Sequence, residues 1–319
     1  KLKGWLCLWQ FYINVIHKYN MRKILFSACC NTYTQQKTCE GLIKLLKDGR
    51  YQVDMAGDVA KEMWLSYNLA FAFNRRGYEK IQTLRPAIPI VYSILADDYE
   101  DEFIEDATQY EHLLLIAPEK TYSCDSCVTA LPFPWDGEVD RYLKYPYSKP
   151  AVLVGVGNGR SALRTFIVLN TLTQYKINII YSGEQELYDI GYASHVTVRE
   201  EFELDTLIQN ASLVIGHKYV ALQGALHKKP VIVIGDYGSG GLLTSANVVE
   251  QYHNHFLGNI GGELDEYFSL DQLQKEITAA SKLSVRELEA IAEKLKKEMS
   301  ENNRKVWNIV SSYSIIRNS

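Results

Sequence analysis

Short runs of apolar, β-branched residues alternate with segments of helical periodicity along most of this chain. The runs contain few polar positions, which is typical of strands covered on both faces and therefore of parallel sheets. Strands and helices in alternation predict α/β units joined by right-handed crossovers. The predicted strands are residues 23–28, 51–55, 87–94, 112–117, 150–155, 177–181, 195–198, 212–216 and 230–235. The predicted helices are residues 36–48, 160–173, 203–210 and 219–227, with a long helical pattern over 284–312.

A proline-rich stretch divides the chain into two halves. Four of the eight prolines lie between residues 132 and 150, and the series of strands starts again directly after them. Clustered prolines predict a domain boundary. The predicted units are an N-terminal extension, two Rossmann-like domains and a C-terminal helical tail. They span residues 1–20, 21–148, 149–300 and 301–319.

The charge balance argues against nucleic acid as a partner. With 34 Lys and Arg against 38 Asp and Glu, the formal net charge is −4 at pH 7, and no long run of one sign occurs. The six cysteines lack the spacing of a secreted disulfide scaffold. We therefore expect reduced thiols and a cytoplasmic protein.

The first 20 residues have a character of their own. They precede Met21, after which the first strand begins, and they include Trp5 and Trp9 in an apolar stretch too short to span a bilayer. Two tryptophans suit peripheral contact with a membrane surface. The alternative that we favour is an appendage, or a helix packed on the domain.

The stretch with the most candidate functional residues begins at the strand 212–216. Gly216, His217 and Lys218 follow this strand and open a helix. Backbone amides at such a helix start, together with the lysine, would hold an anion such as a diphosphate. A glycine turn with a solvated lysine is the structural alternative.

A glycine-rich segment follows the next strand. Three glycines in four positions predict a loop whose backbone approaches a ligand closely. Thr244 or Ser245 would cap the helix after it. The candidate ligand-binding residues of this loop are Gly238, Ser239, Gly240 and Gly241, with Thr244 beside them.

This order of elements resembles the donor-binding half of GT-B glycosyltransferases, the broad group that includes glycogen synthase. Residues 221–233 read Ala-Leu-Gln-Gly-Ala-Leu-His-Lys-Lys-Pro-Val-Ile-Val, which is similar to the pattern A-L-E-A-x-A-x-G-x-P-V-I-V of that group. Residues 131–136, Leu-Pro-Phe-Pro-Trp-Asp, look like its pre-linker I-P-N-G-V-D. The detailed match covers mainly residues 150–260.

The resemblance implies an α/β fold of two Rossmann-like domains whose parallel sheets face each other across a cleft. The C-terminal domain would bind a nucleotide sugar, the N-terminal domain an acceptor, and the terminal helix would cross back to the N-terminal domain. Gln223 stands where the family has the Glu that contacts the donor ribose. Lys228 stands where it has Gly, and Ile215 where retaining members have a second Glu. The choice between retention and inversion therefore stays open.

The loop after the strand 150–155 is a second candidate. It reads Gly155-Val156-Gly157-Asn158-Gly159-Arg160, and a dinucleotide fingerprint would need glycine where Arg160 stands, which disfavours an NAD site. In a GT-B enzyme this loop faces the donor. Arg160 and Arg164 are four residues apart on a predicted helix and would neutralise the diphosphate. A solvated pair is the alternative.

Candidate acceptor-side residues lie in the first half of the chain. Asp97 and Asp98 follow the predicted strand 87–94 and are the candidate catalytic bases that would deprotonate an acceptor hydroxyl. The acidic start of a helix is the alternative. Residues 74–76, Asn-Arg-Arg, are a candidate basic site that would bind an acidic acceptor. A solvated turn is the interpretation that we favour for them. A zinc site formed by Cys29, Cys30, Cys124 and Cys127 is disfavoured, because adjacent cysteines make a poor pair of ligands.

The prediction from the sequence is a metal-independent glycosyltransferase of the hexosyltransferase type, active in carbohydrate biosynthesis. It would use a nucleoside-diphosphate sugar such as a UDP-sugar as substrate, with no further cofactor. The acceptor would be a carbohydrate, a lipid-linked molecule or another small molecule. Two alternatives stay open: a non-catalytic nucleotide-binding scaffold of the same fold, and a nucleotide-sugar 2-epimerase.

Overall fold

Two six-stranded sheets, each flanked by helices, make up the described part of the chain. The computed structural model describes residues 22–30, 33–59, 63, 66–84, 87–95, 110, 112–116, 128–132, 151–156, 172–181, 194–199, 204–235, 238–258, 260 and 269–315. All structural statements below concern these residues.

The first sheet is parallel throughout, with the strand order β2-β1-β3-β4-β5-β6. Its strands are β1 (Lys23–Ala28), β2 (Gln52–Met55), β3 (Leu69–Phe73), β4 (Ile90–Leu95), β5 (His112–Ile116) and β6 (Val128–Leu131). Helices α1 (Tyr33–Asp48) and α2 (Asn74–Leu84) follow β1 and β3.

The second sheet is parallel except for one edge strand, with the order β12-β11-β10-β7-β8-β9. Its strands are β7 (Ala151–Val156), β8 (Lys176–Tyr181), β9 (Val196–Arg199), β10 (Leu213–Gly216), β11 (Val231–Gly235) and β12 (Gly238–Leu242). The helices are α3 (Leu204–Asn210), α4 (Lys218–Leu226), α5 (Val248–His253), α6 (Leu270–Ala280) and α7 (Val285–Ile315).

All nine strands expected from the sequence are present, with ends that differ by at most three residues. Three further strands, β3, β6 and β12, and two helices, α2 and α6, are additional to that expectation. The expected helix over 160–173 lies almost wholly outside the described residues.

Both faces of the first sheet are buried, as continuous apolar runs require. Along β1, Ile24 and Phe26 belong to a core cluster that also contains Leu42 of α1, whereas Leu25 belongs to the cluster that contains Ile81 of α2. The side chains of one strand alternate between the faces, so α1 and α2 cover opposite sides of the sheet.

Helix α7 connects the two halves of the molecule. Its residues Leu295 and Met299 are buried in the same cluster as Leu222 of α4, while Val306 and Val310 are buried in that cluster with α1. The helix therefore crosses back to the N-terminal half, as the resemblance implies. It is continuous through residue 300, where the sequence predicts the start of the C-terminal tail.

Candidate functional site

The second sheet contains a topological switch point between β7 and β10. Strand β7 comes first in the chain and lies inside the sheet; β8 and β9 follow on one side, and β10, β11 and β12 on the other. Val154 of β7 pairs with Ile215 of β10 near the carboxyl ends of both strands. In open α/β sheets, ligands bind in the crevice outside such a switch point.

Gly216, His217 and Lys218 lie at this switch point. Gly216 ends β10, and His217 is the N-cap of α4 in an extended conformation, with φ −137° and ψ 177°. The His217 side chain makes no capping hydrogen bond. Lys218 has a φ of 47°, a left-handed conformation that costs roughly 1–3 kcal/mol in a residue other than glycine. The strained turn aims the positive end of the α4 dipole at the crevice.

Helix α4 packs tightly on the sheet beneath it. A Cβ added to Gly224 would lie 3.0 Å from side-chain atoms of both Val214 and Val231. Gln223 is 7% exposed, and its side chain makes no hydrogen bond with another residue of the described ranges. A buried amide that can both donate and accept is thus held on the helix that starts at Lys218. Its contact with a donor ribose stays a prediction.

The glycine-rich segment is a strand, which corrects the loop expected from the sequence. Gly238, Ser239, Gly240 and Gly241 belong to β12, which pairs antiparallel with β11. Gly235 is opposite Gly238 at one end of this pair of strands. The partner strand β11 supplies the hydrogen bonds that a short glycine-rich segment cannot provide for itself.

Glycines at this edge allow backbone to pack against backbone. A Cβ at Gly235 would overlap the carbonyl oxygen of Leu257 and lie 3.1 Å from Cβ of His217. A Cβ at Gly258, whose φ is 85°, would overlap the carbonyl oxygen of Gly238. The segment around Leu257 therefore closes over the ends of β11 and β12, beside His217. This packing gives Gly235, Gly238 and Gly258 a structural role.

Gly240 is covered by the side chain of Gln251, which is 1% exposed. The Gln251 amide nitrogen donates to the carbonyl oxygens of Gly240, at 3.0 Å, and Ile260, at 3.1 Å. A Cβ at Gly240 would lie 2.8 Å from that nitrogen. Gly240 therefore contacts Gln251, and the Ser239 hydroxyl beside it is buried without a hydrogen-bond partner among the described residues.

The predicted cap by Thr244 or Ser245 is wrong. Helix α5 starts at Val248 with Asn247 as its N-cap, and Asn247 Oδ1 accepts hydrogen bonds from the backbone nitrogen and the hydroxyl of Thr244, at 2.8 and 3.2 Å. The backbone of Ser245 is held from α7, where Glu287 accepts from its nitrogen and Lys294 donates to its oxygen, each at 2.5 Å. The turn is thus fixed by residues that are about 40 to 50 positions away in sequence.

The carboxyl edge of the first sheet is organised by Asn74. This buried residue has a φ of 62°; its side-chain nitrogen donates to the carbonyl oxygen of Cys29, and its Oδ1 accepts from the Gly77 nitrogen at 3.1 Å. Arg75 pairs with Glu79 at 2.7 Å, and Arg76 is exposed with Nη1 4.0 Å from Sγ of Cys29. Of the three residues at 74–76, Asn74 is therefore structural and Arg76 borders the edge.

Several predicted site residues lie outside the described ranges: Asp97, Asp98, Arg160, Arg164, Cys124 and Cys127. Within those ranges, no group of three or more His, Cys, Asp or Glu residues is placed to hold a metal ion. No helix of the same ranges combines the length and the apolar character needed to cross a membrane.

Comparison with known proteins identifies the fold. No protein-family model matches the chain, and no curated protein matches its sequence significantly. Among solved structures, the glycosyltransferase VinC in complex with dTDP aligns with a TM-score of 0.50 and 11% identity, over 92% of this chain and 100% of VinC. Sucrose-phosphate synthase from Thermosynechococcus elongatus aligns with a TM-score of 0.50 and 11% identity, over 94% of this chain and 98% of that enzyme. The fold is therefore the GT-B fold.

Proposed function

We propose that this chain of GT-B fold is a glycosyltransferase that moves a sugar from a nucleoside-diphosphate sugar to an acceptor hydroxyl. One observation carries the proposal: the strand order of the second sheet sets the start of α4, at His217 and Lys218, at the switch point between β7 and β10. The two solved structures compared above are the glycosyltransferase VinC, in complex with dTDP, and a sucrose-phosphate synthase.

The chemistry of the switch point suits a diphosphate. The leaving nucleoside diphosphate gains negative charge as the sugar departs, and preorganised positive groups stabilise that charge. The α4 dipole and the Lys218 ammonium supply such groups at one point of the crevice. Arg160 and Arg164, which follow β7, complete the proposed diphosphate site. With the α4 dipole, Lys218 and the two arginines, the proposed reaction needs no metal ion. The proposed reaction is of the hexosyltransferase type.

The acceptor side is assigned to the first sheet. Asp97 and Asp98 follow the end of β4 at Leu95 in the chain, and one of them is the proposed base that removes the proton of the acceptor hydroxyl. Closure of the crevice would exclude water, which would otherwise hydrolyse the donor. Cytoplasmic location, uridine as the donor base, and a carbohydrate or lipid-linked acceptor remain parts of this proposal.

A non-catalytic nucleotide-binding scaffold is the second candidate. Two observations favour it: Gly238 and Gly240 contact protein groups, and residue 223 is a neutral Gln. Both candidates require nucleotide binding at the switch point. They differ in turnover, because a transferase releases free nucleotide from its donor while a scaffold binds without reaction.

The direct test is thermal unfolding of the full chain with UDP, GDP, ADP, CMP, dTDP or NAD. A ligand at 100 times its dissociation constant adds about 2.7 kcal/mol to the free energy of unfolding. We expect stabilisation by one nucleoside diphosphate, lost in Lys218→Ala and kept in Lys275→Ala, which removes an exposed lysine of α6. Stabilisation by NAD alone, or by no nucleotide, would contradict the proposal. Release of nucleotide from the matching sugar donor then separates the transferase from the scaffold.

A further inference from the structure

The segment 254–258, directly after α5, has a strained backbone. His255 and Phe256 have φ values of 55° and 54°, and Gly258 has a φ of 85°. A left-handed conformation is uncommon for a residue with a side chain, and it is an outlier for a bulky residue such as phenylalanine. Such strain persists only where the surrounding structure fixes the backbone. We call residues 254–258 the strained segment.

The strained segment packs against the switch point of the second sheet. The carbonyl oxygen of Leu257 lies against Gly235, where there is no room for a Cβ. A Cβ at Gly235 would also lie 3.1 Å from Cβ of His217. Gly258 lies against the carbonyl oxygen of Gly238 in the same way. The position of the strained segment is therefore linked, through Gly235, to the residue at which α4 begins.

The end of α5 determines where the strained segment lies. The backbone nitrogen of His255 donates to the carbonyl oxygen of Tyr252 at 2.9 Å, and the backbone nitrogen of Phe256 donates to that of Gln251 at 2.8 Å. Helix α5 has only six residues, and a helix this short has little stability of its own. Contacts with the rest of the protein must therefore hold it in place.

Two side chains of α7 make such contacts. Nδ2 of Asn302 donates to the hydroxyl of Tyr252 at 3.0 Å, and both residues are buried. Nε2 of His253 lies 3.1 Å from Oε2 of Glu298, and both side chains are mostly buried. Glu298 and Asn302 are four positions apart and so lie on one face of α7. The last two residues of α5 are thus each bonded to the same face of one helix.

We propose that Glu298 and Asn302 are positioning residues of the switch point. By holding the end of α5 they keep the strained segment against Gly235, which in turn sets the place of His217. The bond between Asn302 and Tyr252 is directional, and breaking it would leave a buried polar group without a partner, so it favours one arrangement of the two helices. An effect on nucleotide affinity rests on the proposed function, whereas the positioning of the strained segment does not.

Amide hydrogen exchange of the full chain without nucleotide tests the positioning directly. Tyr252→Phe keeps the ring and removes the hydroxyl, and Glu298→Ala removes the carboxylate. In each variant we expect the amides of residues 255–257 to exchange about fivefold faster than in the wild type, the change that corresponds to the loss of one hydrogen bond. The amides of β10 and β11 should exchange as in the wild type. Glu293→Ala, at an exposed position of α7, is the matched control and should leave all these amides unchanged.

Glu298→Gln provides the rescue, because its amide can still form a hydrogen bond with His253. We expect exchange at residues 255–257 to stay close to that of the wild type in this variant. Unchanged exchange at these residues in both Tyr252→Phe and Glu298→Ala would overturn the proposal. An equal acceleration throughout the second sheet would also overturn it, since that result would show only a general loss of stability.

Nucleotide affinity tests the consequence for the proposed function. Titration calorimetry with UDP, GDP and dTDP is performed at a temperature at which circular dichroism shows every variant to be folded. We expect the nucleotide that binds the wild type to bind about fivefold more weakly to Tyr252→Phe and Glu298→Ala, and equally well to Glu293→Ala. Faster exchange with unchanged affinity would overturn the link between the strained segment and the switch point. If the wild type bound none of these nucleotides, the proposed function would fail, while the exchange experiment would still decide the positioning.

Discussion

Trp307 of α7 donates a hydrogen bond from its indole nitrogen to the carbonyl oxygen of Leu45 in α1, at 2.9 Å. The two residues are separated by 262 positions in the chain. Leu45 is near the end of α1, and its carbonyl oxygen also accepts a hydrogen bond from the backbone nitrogen of Gly49 at 3.0 Å. Gly49, just after α1, leaves room for the indole, since a Cβ there would lie 2.8 Å from the indole nitrogen. The end of the chain thus completes the N-terminal half of the molecule.

Trp307→Phe should lower the free energy of unfolding by about 1 kcal/mol, because it keeps the ring but removes the hydrogen bond. Trp307→Ala should lower it by roughly 3 kcal/mol, since packing is lost as well. Urea unfolding followed by circular dichroism measures both values. Asn308→Ala, at the exposed neighbouring position, should change the value by less than about 0.5 kcal/mol. Equal effects of Trp307→Phe and Asn308→Ala would show that the hydrogen bond contributes nothing.

Gly235→Ala should destabilise the protein by roughly 1–3 kcal/mol, because the new methyl group must displace the backbone at Leu257. The methyl also approaches Cβ of His217, so nucleotide binding should weaken in parallel. Chemical denaturation and the nucleotide-dependent thermal shift report the two effects. Gly57→Ala is the control, since its nearest atom is the end of a lysine side chain at 3.8 Å. A Gly235→Ala protein as stable as Gly57→Ala would contradict the packing described here.

Asn74→Ala should lower the free energy of unfolding by about 2–4 kcal/mol. It removes two hydrogen bonds and leaves alanine in a left-handed conformation. Asn74→Gly removes the same bonds without the steric strain. It should therefore be more stable than Asn74→Ala by about 1 kcal/mol. Equilibrium unfolding of the two variants separates the cost of the lost hydrogen bonds from the cost of the left-handed backbone. If Ala and Gly proved equally stable, the left-handed backbone would not be the source of strain.

The parts of the fold that were predictable depend on local composition. Strands such as β10 and β11 are runs of Val and Ile that stand out without any tertiary context. Strand β3 was missed because Leu-Ala-Phe-Ala-Phe contains no β-branched residue. Strand β12 was missed because glycine has no strand preference, and its pairing comes from β11.

The site was less predictable than the sheets for a physical reason. The turn at residues 216–218 has a local signature, glycine between a strand and a helix, and it was found. The contacts of Asn74 with Cys29, of Gln251 with Gly240 and of Glu287 with Ser245 join residues that are 45, 11 and 42 positions apart in the chain. No periodicity or spacing encodes such pairs, so the residues that support the proposed site could not be assigned from the sequence.

The stability of the first half should fall as the pH decreases below about 6.5, the ordinary pKa of histidine. Burial lowers the pKa of His112, so the unfolded chain binds a proton before the folded protein does. The contribution of His112 to stability is therefore fully present above the pKa that it has in the unfolded chain. It is lost as the pH falls towards the pKa that it has in the folded protein. His112 contacts the Thr129 hydroxyl, at 3.1 Å, and the ring of Tyr313 on α7.

His112→Gln tests this dependence, because the amide can keep a hydrogen bond to Thr129 but carries no charge. Unfolding by urea at pH 7.5 and pH 5.5 should give a smaller difference between the two pH values in the variant than in the wild type. Lys176→Gln, at the exposed start of β8, serves as the control. An unchanged pH dependence in His112→Gln would assign the effect to other groups.

Substitution of Lys218 should change the stability of the protein and its binding of nucleotide in different ways. Lys218→Gly and Lys218→Ala both remove the ammonium group, so both should lose the stabilisation by a nucleoside diphosphate. Because the residue has a φ of 47°, the glycine variant should be more stable than the alanine variant by about 1 kcal/mol in the absence of nucleotide. Thermal unfolding with and without the nucleotide measures both differences. If Lys218 binds the nucleotide from a strained backbone, both variants lose the stabilisation by nucleotide and the glycine variant is the more stable of the two. If Lys218 is only a solvated residue in a structural turn, both variants keep the stabilisation by nucleotide.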